Sequence, residues 1–190
     1  MLRGRLVGLA ILALALAAAA PAASAKTRVL KYTPFTKDGD VKSRLRAVGR
    51  NGSCRFDSRL VLRDDAWRCR TGRTRRDPCF DNPVVEDEVV CVKSPWSRRV
   101  TLIDTPLDDS ARTYPSGRRP WAVQVGRRRC LFSPRAKRRV HGRRLSYVCG
   151  RRGPFLFGLP NRKRRTWTVR IARSKRGKGL RRAKIRAAWR

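Results

Sequence analysis

The chain opens on a long apolar stretch and then turns into short hydrophobic runs separated by Gly, Pro, Asn, Asp and Arg. Residues 6–20 are uncharged and apolar, follow Arg3 and Arg5, and stop at Pro21. Ala23-Ser24-Ala25 offers small residues ahead of a cleavage point, so residues 1–25 read as a signal peptide cut between Ala25 and Lys26. The apolar run is shorter than the ~20 residues needed to span a bilayer. No cysteine follows it and no Arg-Arg pair precedes it, which favours ordinary export over a lipid anchor or the twin-arginine route.

Residues 26–51 read as a poorly packed, partly extended lead-in. Within it, Val29 to Phe35 suits a short edge strand closed by Pro34, and Lys37-Asp38-Gly39-Asp40 a turn. Val41 to Val48 suits a strand or a turn of helix, and the pattern does not decide between them. From the Asn51-Gly52 turn signal onward, residues 52–190 read as one domain. Arg59 to Leu62 is expected as a strand, and Trp67 and Cys69 share one face of the next while Arg68 takes the other. Asp77-Pro78 and Asn82-Pro83 are expected turns, with Val89 to Val92 a buried strand after them.

The second half repeats the pattern at Val100–Ile103, Trp121–Val125, Arg129–Phe132, Leu145–Cys149 and Thr166–Ile171. Turn signals fall between these runs at Pro115-Ser116-Gly117, Gly126, Ser133-Pro134, His141-Gly142, Gly153-Pro154 and Gly158-Leu159-Pro160. Leu180 to Arg190 suits either a helix or a strand, and a hairpin with 167–171 across 174–179 favours the strand. The expected fold is mainly β: a small disulfide-stabilised antiparallel sheet, sandwich or barrel-like domain with little helix after the signal peptide.

Composition adds a framework. All six cysteines, Cys54, Cys69, Cys79, Cys91, Cys130 and Cys149, lie in the exported part. An even set behind a signal peptide implies three disulfides in an oxidising compartment. No Cys-x-x-Cys knuckle is present and His141 is the single histidine, so no metal is expected. Six cysteines allow fifteen pairings. The sequential one, Cys54–Cys69, Cys79–Cys91 and Cys130–Cys149, closes short turn-containing segments and is the one expected.

Charge changes the picture further. The formal net charge is +36, from 49 Lys and Arg against 13 Asp and Glu. Every acid lies between Asp38 and Asp109, and residues 110–190 carry 28 Lys and Arg with no acid. Such a half repels itself unless an anionic partner neutralises it. The expected contacts are Arg127, Arg128, Arg129, Arg138, Arg139, Arg143, Arg144, Arg162, Lys163, Arg164 and Arg165, placed mostly in turns between strands. Arg forks suit phosphate oxygens. A coding bias toward Arg accounts for Arg over Lys, but not for the missing acids. Trp67, Trp96, Trp121 and Trp167 read as core aromatics, with stacking of Trp167 on a base or sugar the rival reading.

Catalytic constellations are sparse. His141 lies among arginines with no Gly-x-Ser-x-Gly element to present a nucleophile. Asp64-Asp65, Glu86-Asp87-Glu88 and Asp108-Asp109 are adjacent acids that a strand would point to opposite faces. Salt bridging suits them better, with Asp65 a partner for Arg68 or Arg70. Phosphate-cradling glycine loops are absent, and no cofactor is expected. These features together predict a secreted, non-enzymatic binding domain on an anionic cell-wall polymer or lipid surface, with non-specific nucleic-acid binding in vitro. A small secreted hydrolase of envelope polymers, with Asp or Glu as its catalytic groups, and a purely structural or protein-interaction domain are the alternatives.

Several blocks occur in a recognisable order: Asp65-Ala66-Trp67-Arg68-Cys69, Asp77-Pro78-Cys79-Phe80, Val90-Cys91, Pro95-Trp96, Pro120-Trp121-Ala122 and Tyr147-x-Cys149. In these the chain resembles an uncharacterised family of small secreted, cysteine-containing actinobacterial domains. Cys54-Arg55-Phe56-Asp57-Ser58 departs from that family's usual Cys-Trp-Thr-Gly-Ser opening. The resemblance implies an extracytoplasmic location and a cysteine framework, and it carries no activity.

Overall fold

The structure is a computed structural model and describes residues 26–113, 117 and 119–190. The expected signal peptide and the Pro115-Ser116 part of one expected turn lie outside these residues. Among the described residues fourteen strands form: β1 Arg28–Leu30, β2 Arg46–Gly49, β3 Ser53–Asp57, β4 Ala66–Thr71, β5 Thr74–Asp81, β6 Glu88–Cys91, β7 Arg99–Asp104, β8 Ala122–Val125, β9 Arg128–Phe132, β10 Arg139–Val140, β11 Arg143–Val148, β12 Phe155–Asn161, β13 Thr168–Ala172 and β14 Arg181–Trp189. One 3-10 turn, Asp109–Ala111, follows β7. The chain is thus nearly all β, as its alternation predicts.

Two sheets result. The first runs β2-β7-β6-β5-β4-β3, antiparallel except for the β2–β7 pair. It curls until Cys54 of β3 bridges Leu107, just after β7. The second closes: β8, β9, β11, β12, β13 and β14 form an antiparallel barrel, β14 pairing back onto β8, with β1 alongside the end of β14. Closure leaves few exposed edges to recruit other strands. The barrel interior holds Val123, Val125, Tyr147, Leu156, Trp167, Val169 and Ile185, all buried. A smaller cluster inside the first sheet is built from Cys54, Trp67, Cys69, Cys79, Val89, Cys91 and Ile103.

Between the sheets lies a third core, and the lead-in is central to it. Tyr32, Phe35 and Leu45 are buried there with Phe80, Val90 and Trp121. The rings of Tyr32 and Phe80 are 5.4 Å apart and those of Tyr32 and Trp121 5.7 Å. Residues 26–51 are therefore not a loose approach. β1 completes the barrel side, β2 completes the first sheet, and the aromatic residues between them bury the seam. The expectation failed because these residues lack a dense hydrophobic run, and their partners are distant in sequence.

Three further expectations are corrected. Arg59 to Leu62 forms a bend, because the Ser58 hydroxyl accepts the N–H groups of Leu60 and Val61 at 3.1 and 2.9 Å and turns the chain. Asp77-Pro78 lies inside β5, and Gly158-Leu159-Pro160 lies inside β12. In both cases the proline, which has no N–H to give, falls where the ladder to a neighbouring strand shifts register, β4 for Pro78 and β13 for Pro160. The expected strand at residues 180–190 forms as β14, paired with β13.

Candidate functional site: an arginine-lined groove on the first sheet

The structure closes three disulfides, Cys54–Cys69, Cys79–Cys91 and Cys130–Cys149, each bridging paired strands or their ends. They fit folding in an oxidising environment. The sulfurs of Cys69, Cys79 and Cys91 lie within 4.8 Å of one another, all locked in disulfides. The first two bridges set β3, β4, β5 and β6 side by side, and the outer surface of these strands carries the candidate site.

Two cavities of about 590 and 580 Å³ lie there, and Arg75 of β5 lines both. The first is lined by Arg50, Arg75, Arg76, Lys93, Arg98 and Arg99. The second adds Arg55, Arg59, Arg68 and Arg70, with Phe56 among them. Residues from all six strands of the sheet contribute. Strand pairing forces some of this density: Arg70 lies directly opposite Arg75, and Arg46 opposite Arg99. Like charges facing each other across a ladder destabilise a sheet.

Little within the protein offsets that charge. Among the described residues, Arg55 is the groove cation that reaches a carboxylate, Asp108 at 3.5 Å. Asp77 also lines the first cavity, but its oxygens are engaged inward, by the Ser58 hydroxyl at 2.5 Å and the Arg59 N–H at 3.1 Å. Burial pushes the Asp77 carboxyl above its ordinary range, against the pull of those hydrogen bonds. Burial, and then the charge of Arg59, hold the Arg68 guanidinium below its ordinary value, with Arg75 and Arg135 adding to the effect and Asp77 opposing it.

The arginines expected from sequence lie elsewhere. Arg127 is in a turn, Arg128 and Arg129 are on β9, Arg139 on β10, and Arg143 and Arg144 on β11. Arg138 and the run Arg162, Lys163, Arg164 and Arg165 occupy loops, and all eleven are exposed. Six of the eleven thus lie in turns or loops, as most were expected to, and the other five lie exposed on barrel strands. Several already have local roles. Arg129 lies over Trp96 at 5.6 Å and Arg162 over Trp167 at 5.5 Å, while Arg144 Nε donates to the Ala136 carbonyl at 2.6 Å. Arg128 and Arg143 line small cavities of about 200 and 60 Å³. The large concave surface is thus in the half that contains the acids. Only strand register reveals it.

The acids mostly serve the structure. Asp65 pairs with Arg63 rather than Arg68 or Arg70: Arg63 Nε donates to Oδ1 at 2.7 Å, and its terminal nitrogen donates to Oδ2. Arg63 folds back within the turn, whereas Arg68 and Arg70 are carried away on β4. Asp65 and Asp81 share a third cavity of about 710 Å³ with Lys42 and Arg63. Burial, reinforced by the neighbouring Asp65 charge, raises the Asp81 carboxyl. Both Asp65 oxygens are thus held by one guanidinium. Glu88 accepts from the Asn82 amide at 2.6 Å, Asp87 from the Leu107 N–H at 3.1 Å, and Asp108 caps the 3-10 turn. His141 sits in the β10–β11 turn with a positive φ of 46°.

Trp67, Trp121 and Trp167 are buried, in keeping with a core role. Among the described residues no helix is long and apolar enough to cross a membrane. The chain matches no family model, no curated protein and no solved structure.

Proposed function

We propose that this protein is a non-enzymatic binding domain, exported to the cell envelope, that holds a linear polyanion along the arginine groove of its first sheet. One observation carries the reading. Ten cations line two cavities that share Arg75, and the single carboxylate among the lining residues, Asp77, is held by the Ser58 hydroxyl and the Arg59 N–H. A concave surface of this kind fits a chain that can lie along it. A planar lipid surface would reach only its rim. An anionic cell-wall polymer has the required form, and the three disulfides suit an extracytoplasmic setting.

The test is the salt dependence of binding to defined probes. Displacing counter-ions makes such binding steep in salt, and six to ten phosphate contacts correspond to a loss of roughly 10³- to 10⁵-fold between about 50 and 200 mM. Oxidised protein should bind polyphosphate with a steep slope of this kind, and more tightly than it binds anionic vesicles at equal phosphate concentration. An affinity indifferent to salt, or a preference for vesicles, would contradict the groove.

A further inference from the structure

One residue of the groove is out of place by the rules of its own strand. Along β3 the two-residue period should send Phe56 to the same side as Cys54, which is fully buried. Instead the β3–β4 register shifts between Cys54 and Phe56, and Arg55 and Phe56 are exposed in succession. Phe56 is 46% exposed. A bulge of this sort re-aims a side chain, and such bulges concentrate beside functional sites. Here it moves an aromatic ring out of the disulfide core and into a cavity lined by five arginines. Its cross-strand partner Arg68 lies over the ring, with the guanidinium carbon 4.8 Å from the centroid.

We propose that Phe56 and Arg68 form a stacking subsite for a nucleobase, so that the polymer held in the groove is single-stranded nucleic acid. This rests on the polyanion reading above and names the class of polymer. The side chains around Phe56 are Arg55, Arg59, Arg68, Arg70 and Arg75, with one hydroxyl at Ser53. Guanidinium groups donate and never accept. Such a lining suits a ligand whose exposed polar atoms are acceptors, as phosphodiester oxygens and many base-edge atoms are. The hydroxyls of a neutral sugar repeat need acceptors as well, and the side chains here offer almost none. A flat ring beside a planar guanidinium gives a base its stacking surface, and only a single strand leaves base faces free. Arg70 and Arg75, opposite each other across neighbouring strands, would take successive phosphates.

The experiment measures binding of oxidised full-length mature protein to four probes of matched charge: an oligothymidylate, an abasic phosphodiester of the same length, polyphosphate and a polyuronate. The wild type should bind the oligothymidylate at least about fivefold more tightly than the abasic chain, the scale of one base stacked on an aromatic. Phe56→Ala should remove that preference, and Arg70→Gln with Arg75→Gln should weaken binding to every probe. A preference that is absent, or that survives Phe56→Ala, would overturn the stacking subsite while leaving the groove in place. Tight polyuronate binding that is lost in Phe56→Ala would make the occupant a glycan and overturn the nucleic-acid assignment. Unchanged binding to all four probes in the double arginine variant would remove the groove itself. Phe56 is half exposed and outside the core clusters, so its variant should keep all three disulfides and the wild-type melting curve, which checks that the loss is one of contact.

Discussion

Arg112 Nε donates to Asp57 Oδ1 at 2.8 Å, and the Arg112 guanidinium carbon lies 3.9 Å from the centre of the Trp67 ring. Both charged side chains are nearly buried, at 3% and 11% exposure. The Thr113 N–H and hydroxyl donate to the other Asp57 oxygen at 2.6 and 2.9 Å. The segment leaving the first sheet is thereby tied to β3, at the entrance to the disulfide core. Removing one partner of a buried ion pair strands the other's charge. Arg112→Ala is therefore expected to lower the unfolding free energy by about 3–5 kcal/mol, as read by urea denaturation of the oxidised protein. A loss below about 1 kcal/mol would mean that water reaches Asp57 freely.

The same carboxylate predicts a pH dependence. Burial would raise its pKa, but the Thr113 N–H, the Arg112 guanidinium and the Thr113 hydroxyl outweigh burial and leave it below the ordinary value. The folded protein then holds this proton less readily than the unfolded chain. The stabilisation is complete above the unfolded carboxylate value of about 4 and is lost as pH falls through the lowered folded value. Stability curves of wild type and Asp57→Asn should converge on acidification below about pH 4. Parallel curves would show that Asp57 does not titrate differently on folding.

Trp121 is fully buried where Tyr32, Phe80 and the barrel meet. Trp121→Ala is expected to cost about 3–5 kcal/mol, the range for removing a large aromatic from a packed interior. Thermal or urea unfolding measures it. A near-neutral result would mean that the two sheets stand without this seam.

The sulfur cluster makes single and paired cysteine variants behave differently. Cys54→Ser leaves Cys69 with a free thiol within 4.8 Å of both sulfurs of the Cys79–Cys91 bridge. The Cys69 thiolate can attack either sulfur, forming a new disulfide and releasing the other cysteine as a thiolate. Peptide mapping should find Cys69 paired with Cys79 or Cys91 in this variant, and only native pairs in Cys54→Ala with Cys69→Ala. The double variant should lose roughly 3 kcal/mol from the opened loop. Native pairing alone in Cys54→Ser would show that the core holds these sulfurs too rigidly to exchange.

Much of this fold is written locally. The alternation at Val100–Ile103 and Trp121–Val125 marks strands, and the spacing of the six cysteines matches hairpin-closing bridges. What local pattern does not contain is pairing between distant segments. β1 meets β14 from the opposite end of the chain, so Tyr32 and Phe35 give no sign alone that they belong to a core. Prolines mislead in the same way: Pro78 and Pro160 signal turns until the register shift beside each is known. The groove was hidden for a related reason. A run such as Arg162 to Arg165 is conspicuous in sequence, whereas Arg70 and Arg75 come together only when β4 and β5 pair, and Phe56 reaches them only through a bulge.

The most direct test of the account sets two charge-matched variants against each other. Arg70→Gln with Arg75→Gln removes two cations from the groove, and Arg127→Gln with Arg128→Gln removes two from the acid-free half. Binding to polyphosphate is measured over a range of salt. The groove variant should lose at least about tenfold in affinity and flatten the salt dependence by about two phosphate contacts, with the other variant within about threefold of wild type. Equal losses in the two would contradict the account, because attraction would then follow total charge and not the groove.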